Sequence, residues 1–178
     1  KGGKGPIDRS DKRQPHEGPR EAWAQALVRW YDANARDLPW RNTRDGYAIW
    51  VSEIMLQQTR VEAVLPKYAS FMAMFPSVEA LASAHQEKVL KAWEGLGYYS
   101  RARNLHRGAR YVMENYAGVL PKDLRALRKI PGVGEYTAAA IASFVYDLPA
   151  PAVDGNALRV IARIFAIEQS VDATPTRR

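Results

Sequence analysis

The string Leu127-Arg128-Lys129-Ile130-Pro131-Gly132-Val133-Gly134-Glu135-Tyr136-Thr137 offers the plainest chemistry in the chain. Two glycines in a short connection permit a tight, left-handed backbone and let another backbone come close. Gly134 leads into a helix whose first N–H groups have no partner within the helix. Together with the helix dipole, those groups form an anion site. Such a hairpin can clamp a phosphate by main chain, without reading any base. The blander alternative is an αα-hairpin with glycines for closeness alone. Thr137 and the small residues Ala138, Ala139 and Ala140 favour the clamp.

Two carboxylates stand where proton chemistry is possible. Glu53 sits inside Trp50-Val51-Ser52-Glu53-Ile54-Met55-Leu56. A carboxyl among apolar neighbours has a raised pKa, which suits a general acid near neutral pH. A solvated helix residue beside Ser52 and Gln57 is the alternative. Asp154 lies between an apolar stretch and a helix beginning Gly155-Asn156, where its ordinary role is that of an N-cap. His16, His85 and His106 are scattered without ligand spacing, so no zinc site is expected. There is no Walker loop, no GxSxG and no dinucleotide fingerprint.

The elements that must position these groups read as helices throughout. Trp23, Leu27, Trp30 and Tyr31 recur at helical spacing and predict a first helix to about Ala35. Pro39 breaks it. Further helices are predicted over Tyr47 to Gln58, and over Val61 to Met74 with Pro66 near a bend or start. Short helices follow from Ser77 through Ala84 and from Glu87 to Glu94, ended by Gly95-Leu96-Gly97. A longer helix, Ser100 to Tyr116, has an apolar stripe of Leu105, Ala109, Val112, Met113 and Tyr116, with Gly118 as C-cap. Arg101, Arg103, His106, Arg107 and Arg110 form its opposite face. Lys122–Lys129 and Glu135–Tyr146 flank the hairpin, and a last helix runs from Gly155 or Asn156 past Ile167. No stretch alternates with period two, so the fold class is all-α.

The 178 residues suit about one domain. Cysteine is absent. That excludes a disulfide framework, a thiolate zinc site, a cysteine nucleophile and a cysteine-ligated cluster within these residues. No apolar run approaches the ~20 residues of a membrane span, and the N-terminus has no apolar signal region. The formal net charge is +7. Clustered cations favour a polyanion through counterion release, but +3 of that excess falls in Lys1 to Arg20. Residues 1–19 are Gly, Pro and charge, and are read as a disordered basic tail or a cloning remnant. Residues 20–178 are read as one helical region, with its hairpin at about 122–146.

The hairpin followed by Val153-Asp154-Gly155-Asn156 resembles the helix–hairpin–helix DNA glycosylase superfamily. A wider set resembles its MutY branch, the adenine DNA glycosylases, across about Arg20 to Ile167. The set is Leu38-Pro39-Trp40-Arg41, Trp50 to Val61, Gly95-Leu96-Gly97-Tyr98-Tyr99-Ser100 through His106, and Ile130 to Thr137. The resemblance implies the superfamily fold with a six-helix-barrel catalytic core, incomplete in this chain. It implies base excision repair: hydrolysis of the N-glycosidic bond of adenine mispaired with 8-oxoguanine or guanine, in double-stranded DNA. A mismatch thymine or uracil glycosylase, or a non-catalytic helix–hairpin–helix DNA-binding module, is the alternative.

By the same resemblance Glu53 is the acid that protonates adenine N7, and Asp154 stabilises the sugar cation or forms a transient acetal. Tyr136 stands where strand-cleaving relatives carry a lysine, which implies a monofunctional enzyme. Arg36, Trp40, Arg41 and Leu56 match the adenine pocket, though Trp40 could simply be core. Gln57, Gln58, Thr59, Leu96 and Tyr98 match the residues that enter the duplex or meet the opposite base. Ile130, Gly132, Val133, Gly134, Tyr136 and Thr137 form the phosphate hairpin. The carbonyls of Arg128, Ile130 and Val133 could hold a monovalent cation. Full-length members carry a 4Fe–4S cluster on four cysteines and a C-terminal domain that reads 8-oxoguanine; both are absent here, so a fragment is expected. The resemblance also implies a monomer with no membrane association, in the bacterial cytoplasm or nucleoid or the eukaryotic nucleus or mitochondrion.

Overall fold

The computed structural model describes residues 17–168. The expected tail through residue 16 and residues 169–178 lie outside them. The helices are α1 (Glu17–Asn34), α2 (Gly46–Leu56), α3 (Val61–Met74), α4 (Val78–Ala82), α5 (Gln86–Ala92), α6 (Ser100–Tyr116), α7 (Leu124–Leu127), α8 (Glu135–Tyr146) and α9 (Gly155–Ile164), with a 3₁₀ turn at Pro39–Arg41. No strand occurs among the described residues, as the absence of period-two patterning requires. Helix α1 begins at Glu17, inside the stretch read as tail, and α9 stops at Ile164, short of the expected end.

The chain divides between Asp37 and Leu38. The first unit is α1 with the residues after it. In the second unit, four of the eight described α-helices start at a side-chain cap. The Asp45 carboxylate accepts the Tyr47 N–H, Ser77 Oγ accepts from Ala80, Asp123 from Ala126 and Asp154 from Ala157. Each satisfies one of the orphan donors of a first helical turn. At the end of α6 the left-handed cap is Ala117, with Gly118 following it. The Gly118 N–H reaches back to the Val112 carbonyl at 3.2 Å. Pro66 lies within α3 rather than at its start.

Helix α2 organises this second unit. Its sequence is apolar all round rather than striped, which marks a helix surrounded on every side. Tyr47 through Ser52, Ile54 and Met55 are buried. Helices α3, α6 and α8 pack around it, as does the 3₁₀ turn. Phe71 packs at 4.9 Å from Phe75 and 5.9 Å from Trp93, centroid to centroid, beneath α3. The Tyr47 hydroxyl donates to the Phe75 carbonyl at 2.8 Å.

The polar side of α6 differs from the pattern reading. Arg103, Arg107 and Arg110 are exposed, but Arg101 and His106 are buried. Helical spacing places residues around an axis; it does not show that α4 and α5 cover this flank.

Gly108 lets α6 approach both α2 and the hairpin. A Cβ there would stand 2.8 Å from the Trp50 ring and 2.9 Å from the Pro131 carbonyl oxygen. Trp50 is fully buried and the other obstacle is backbone, so neither yields cheaply. Alanine gains about 1 kcal/mol in helix propensity, whereas overpacking costs about 1–3 kcal/mol. We expect Gly108→Ala to lose stability on balance, by about 1 kcal/mol. Urea unfolding checks this, and an unchanged or higher midpoint contradicts it.

Candidate active site

Glu53 is the one acidic residue on α2, and only it and Leu56 on this helix after Tyr47 remain half-exposed. Burial is the main cause that raises its carboxyl pKa above the ordinary value. The hydroxyl of Tyr136 donates to it and works in the opposite direction. The nearby charge of Asp154 adds to the rise. Tyr136 occupies the first turn of α8, which packs directly on α2. Its phenol is pushed up to about 12 by burial first, then by the charges of Glu53 and Asp154. It therefore stays a neutral donor at any physiological pH.

Asp154 is held by the start of α9. Its Oδ1 accepts the Ala157 N–H at 2.7 Å, and its Oδ2 accepts from Asn156 Nδ2 at 3.2 Å. Arg159 in turn donates to Asn156 Oδ1. The N-cap role and a place beside Glu53 are thus compatible. The capping bond fixes the carboxylate, and its field reaches both Glu53 and Tyr136. Asn156 and Arg159 were not singled out by the sequence. Nothing in the spacing shows that one braces Asp154 and the other braces the first.

The hairpin alternates inward and outward residues. Ile130 and Val133 are buried anchors, and the Val133 N–H donates to the Ile130 carbonyl at 3.0 Å. Gly132 and Gly134 are exposed. The two glycines serve different ends. Gly132 has φ +83, and a Cβ on it would stand 2.8 Å from Asn104 Cβ on α6. Its smallness is required within the fold, whatever binds outside. Gly134 has φ −84, and a Cβ there meets nothing within 4 Å. No side chain caps α8 at Gly134. Thr137 is buried, and its Oγ1 accepts from Gln57 Nε2 at 3.4 Å.

The remaining expected residues divide. Trp40 is buried in the core, edge-on to Tyr68 at 5.0 Å, while Arg41 on the same 3₁₀ turn is exposed. Leu56 ends α2 and is half-buried. Arg36 belongs to the first unit. Gln58 and Tyr98 are exposed, and both have left-handed backbones, with φ 57 and 46. Gln57 and Thr59 flank Gln58 and are half-buried. Leu96 is buried, and the Thr59 hydroxyl lies 3.4 Å from its carbonyl oxygen. Arg101 joins these two turns, a connection no sequence signal announces. Among the described residues no group of three or more His, Cys, Asp or Glu could hold a metal.

Comparison with known proteins agrees with the all-helical fold. The family model described as "HhH-GPD superfamily base excision DNA repair protein" matches residues 51–178. The adenine DNA glycosylase of Mus musculus is 48% identical over 164 residues, covering 87% of this chain and 32% of the mouse protein. That of Buchnera aphidicola subsp. Baizongia pistaciae is 40% identical, covering 80% and 41%. The chain thus spans about a third of the mouse relative's length. A thermostable thymine-DNA glycosylase superimposes with a TM-score of 0.76 at 32% identity, covering 80% of this chain and 66% of that one. Endonuclease III in a non-covalent DNA complex shares the fold at TM-score 0.72 and 21% identity, over 85% and 72%.

Two stability tests follow. A carboxyl whose folded pKa is raised binds its proton more tightly in the folded state. It therefore favours the fold fully below the unfolded pKa and loses that contribution as pH rises through the folded one. Glu53→Gln removes the loss. The variant should be more stable than the parent at pH 7, and the advantage should vanish below the ordinary glutamate value of 4.5. Thermal melts across pH measure it, and an advantage independent of pH contradicts it. In the hairpin, Gly132→Ala should cost about 1–3 kcal/mol through strain and overlap, whereas Gly134→Ala should stay within about 0.5 kcal/mol. Equal costs in urea unfolding would refute the distinction.

Proposed function

Since the chain belongs to the HhH-GPD superfamily of base excision DNA repair proteins, we propose that it is the catalytic portion of a monofunctional adenine DNA glycosylase. Its substrate is adenine mispaired with 8-oxoguanine or guanine in duplex DNA, and the chain acts as a monomer wherever that DNA lies, in nucleoid, nucleus or mitochondrion. The observation that carries this reading is one hydrogen-bonded acid, Glu53, held against Tyr136 and facing the fixed carboxylate of Asp154.

Cleaving a purine N-glycosidic bond requires a better leaving group and leaves cationic character on the sugar. Glu53, whose carboxyl is pushed above its ordinary range by burial and by the charge of Asp154, delivers its proton to adenine N7. As the bond to C1′ breaks, its electron pair goes to the base. Asp154, oriented by the Ala157 N–H and Asn156, meets the positive sugar with its charge. Water then adds at C1′, and the proton it sheds restores Glu53 while the first proton leaves with adenine. Tyr136 holds Glu53 in one orientation and, being neutral, does not quench either charge. This is the division of labour between two carboxylates set apart by environment.

Trp40, Arg41 and Leu56 would line the adenine pocket, while Gln57, Gln58, Thr59, Leu96 and Tyr98 would fill the gap left by the flipped base, whose unstacking costs about a few kcal/mol. The hairpin of Ile130, Gly132, Val133, Gly134, Tyr136 and Thr137 would grip a phosphate through main-chain donors. The Arg128, Ile130 and Val133 carbonyls would hold a monovalent cation; the Ile130 oxygen already accepts one N–H, which leaves a second lone pair. A 4Fe–4S cluster does not fit these residues, because the sequence contains no cysteine.

The likeness to a thymine-DNA glycosylase supports a second reading, excision of thymine from a mismatch. Single-turnover assays on duplexes with A opposite 8-oxoguanine, and with T or U opposite G, decide between them. Excision of T or U alone would overturn the adenine reading, and excision of nothing would favour a binding module.

Glu53→Gln should abolish excision while duplex binding stays within about threefold, because phosphate contacts dominate affinity. Near-parental excision by the variant would remove Glu53 from the role. The product should be an intact strand with an abasic site, since Tyr136 offers no amine to form an imine. Borohydride added during turnover should trap no protein–DNA adduct, and an efficient adduct would assign the chain to the strand-cleaving class.

A further inference from the structure

Arg101 is only 8% exposed and spends its guanidinium on two turns far apart in sequence. Nη1 donates to the Ile54 carbonyl at 3.0 Å, to Met55 at 2.8 Å and to Gln57. Nη2 donates to Thr59 Oγ1 at 3.0 Å, to the Leu96 carbonyl at 2.9 Å and to Gly97 at 3.3 Å. The group also lies 5.4 Å from the Trp93 ring and 5.6 Å from that of Tyr98. One planar cation therefore closes the last turn of α2, bridges it to the 96–97 turn and supports an aromatic ring that is itself 62% exposed.

These turns contain Gln58 and Tyr98, each left-handed though neither is glycine. Such backbones persist only where the surroundings over-determine them, and they collect at functional sites. The atoms flanking both are the ones Arg101 holds: the carbonyl before Gln58, the hydroxyl after it, and the two carbonyls before Tyr98. The Ile54 and Met55 carbonyls also tie the guanidinium to the helical turn that follows Glu53. Lysine could not replace it, because a compact ammonium has three donors and no planar fork.

The structure assigns Arg101 the role of positioning residue for base extrusion: it presets the Gln58 and Tyr98 turns in the strained geometry that enters the duplex. The assignment rests on the proposed reading of those turns as the elements that fill the vacated stack. Arg101 touches no substrate in this role and acts through the two backbones it holds.

The test uses the whole chain and a duplex carrying 2-aminopurine at the target adenine, whose fluorescence rises on unstacking. Arg101→Lys should cut the unstacking equilibrium and the single-turnover rate by about tenfold. Duplex affinity, carried by phosphate contacts, should change by less than about threefold. Backbone chemical shifts of Gln58 and Tyr98 should leave the left-handed range together. Retained left-handed shifts with undiminished unstacking would overturn the assignment. If Arg101→Lys does not fold, the parent chain decides. Its Arg101 Nη protons should give separate, slowly exchanging resonances, and a single averaged signal would overturn the pinning. Gln58→Ala and Tyr98→Ala separate the two levels. If neither lowers unstacking, the reading of the turns has failed. If they do and Arg101→Lys does not, the inference about Arg101 alone has failed.

Discussion

Trp50, Val51 and Met55 are withdrawn from water completely, although they point to different sides of one helix of 11 residues. A helix of that kind cannot lie on a surface, so α3, α6 and α8 must close around it. Much else follows from that demand. Gly108 has to lack a side chain so that α6 can reach Trp50, and Gly132 has to lack one so that the hairpin can settle on Asn104. The hairpin's place against α6 and α8's place on α2 are parts of one packing problem. The start of α8 and the acid on α2 thereby become neighbours.

Glu53 is the functional cost of that arrangement. A carboxyl carried into this apolar wall loses hydration, and the fold recovers part of the loss through the Tyr136 hydroxyl. Asp154 experiences the opposite treatment, with a backbone N–H and an amide supplied to its oxygens at a helix start. Two residues of the same chemical class thus meet different surroundings, one desolvated and one hydrogen-bonded at a helix start. The destabilised carboxylate at Glu53 and its tighter hold on a proton are one physical fact seen from two sides.

Much of this was legible in the sequence because its causes are local. Ser77 and Asp154 cap the turns that follow them, so those two helix starts could be placed from residue types alone. The all-round apolar run of α2, the two glycines of the hairpin and the absence of alternating strands likewise needed no partner to be recognised. Glu53 stood out as a lone acid among apolar neighbours, and the hairpin as an anion site, for the same reason. Asp154 was legible only as a cap, and its second role entered through resemblance.

What the sequence could not reveal depends on which surfaces meet. Arg101 and His106 share the polar spacing of Arg103 and Arg107, yet the first two are buried and the others exposed. The difference lies in the elements packed across that flank, and those come from distant segments. Gly132 and Gly134 look equivalent in the string, but only one faces Asn104. The strain at Gln58 and Tyr98 is likewise invisible, because it is sustained by a guanidinium arriving from another helix. The helices, their all-α class and the acid on α2 were therefore determined by the order of residues, through short-range hydrogen bonds and hydrophobic periodicity. The meeting of acid, tyrosine and carboxylate, and the bracing of the two turns, were decided only by tertiary packing, because burial is a property of neighbours that no single segment contains.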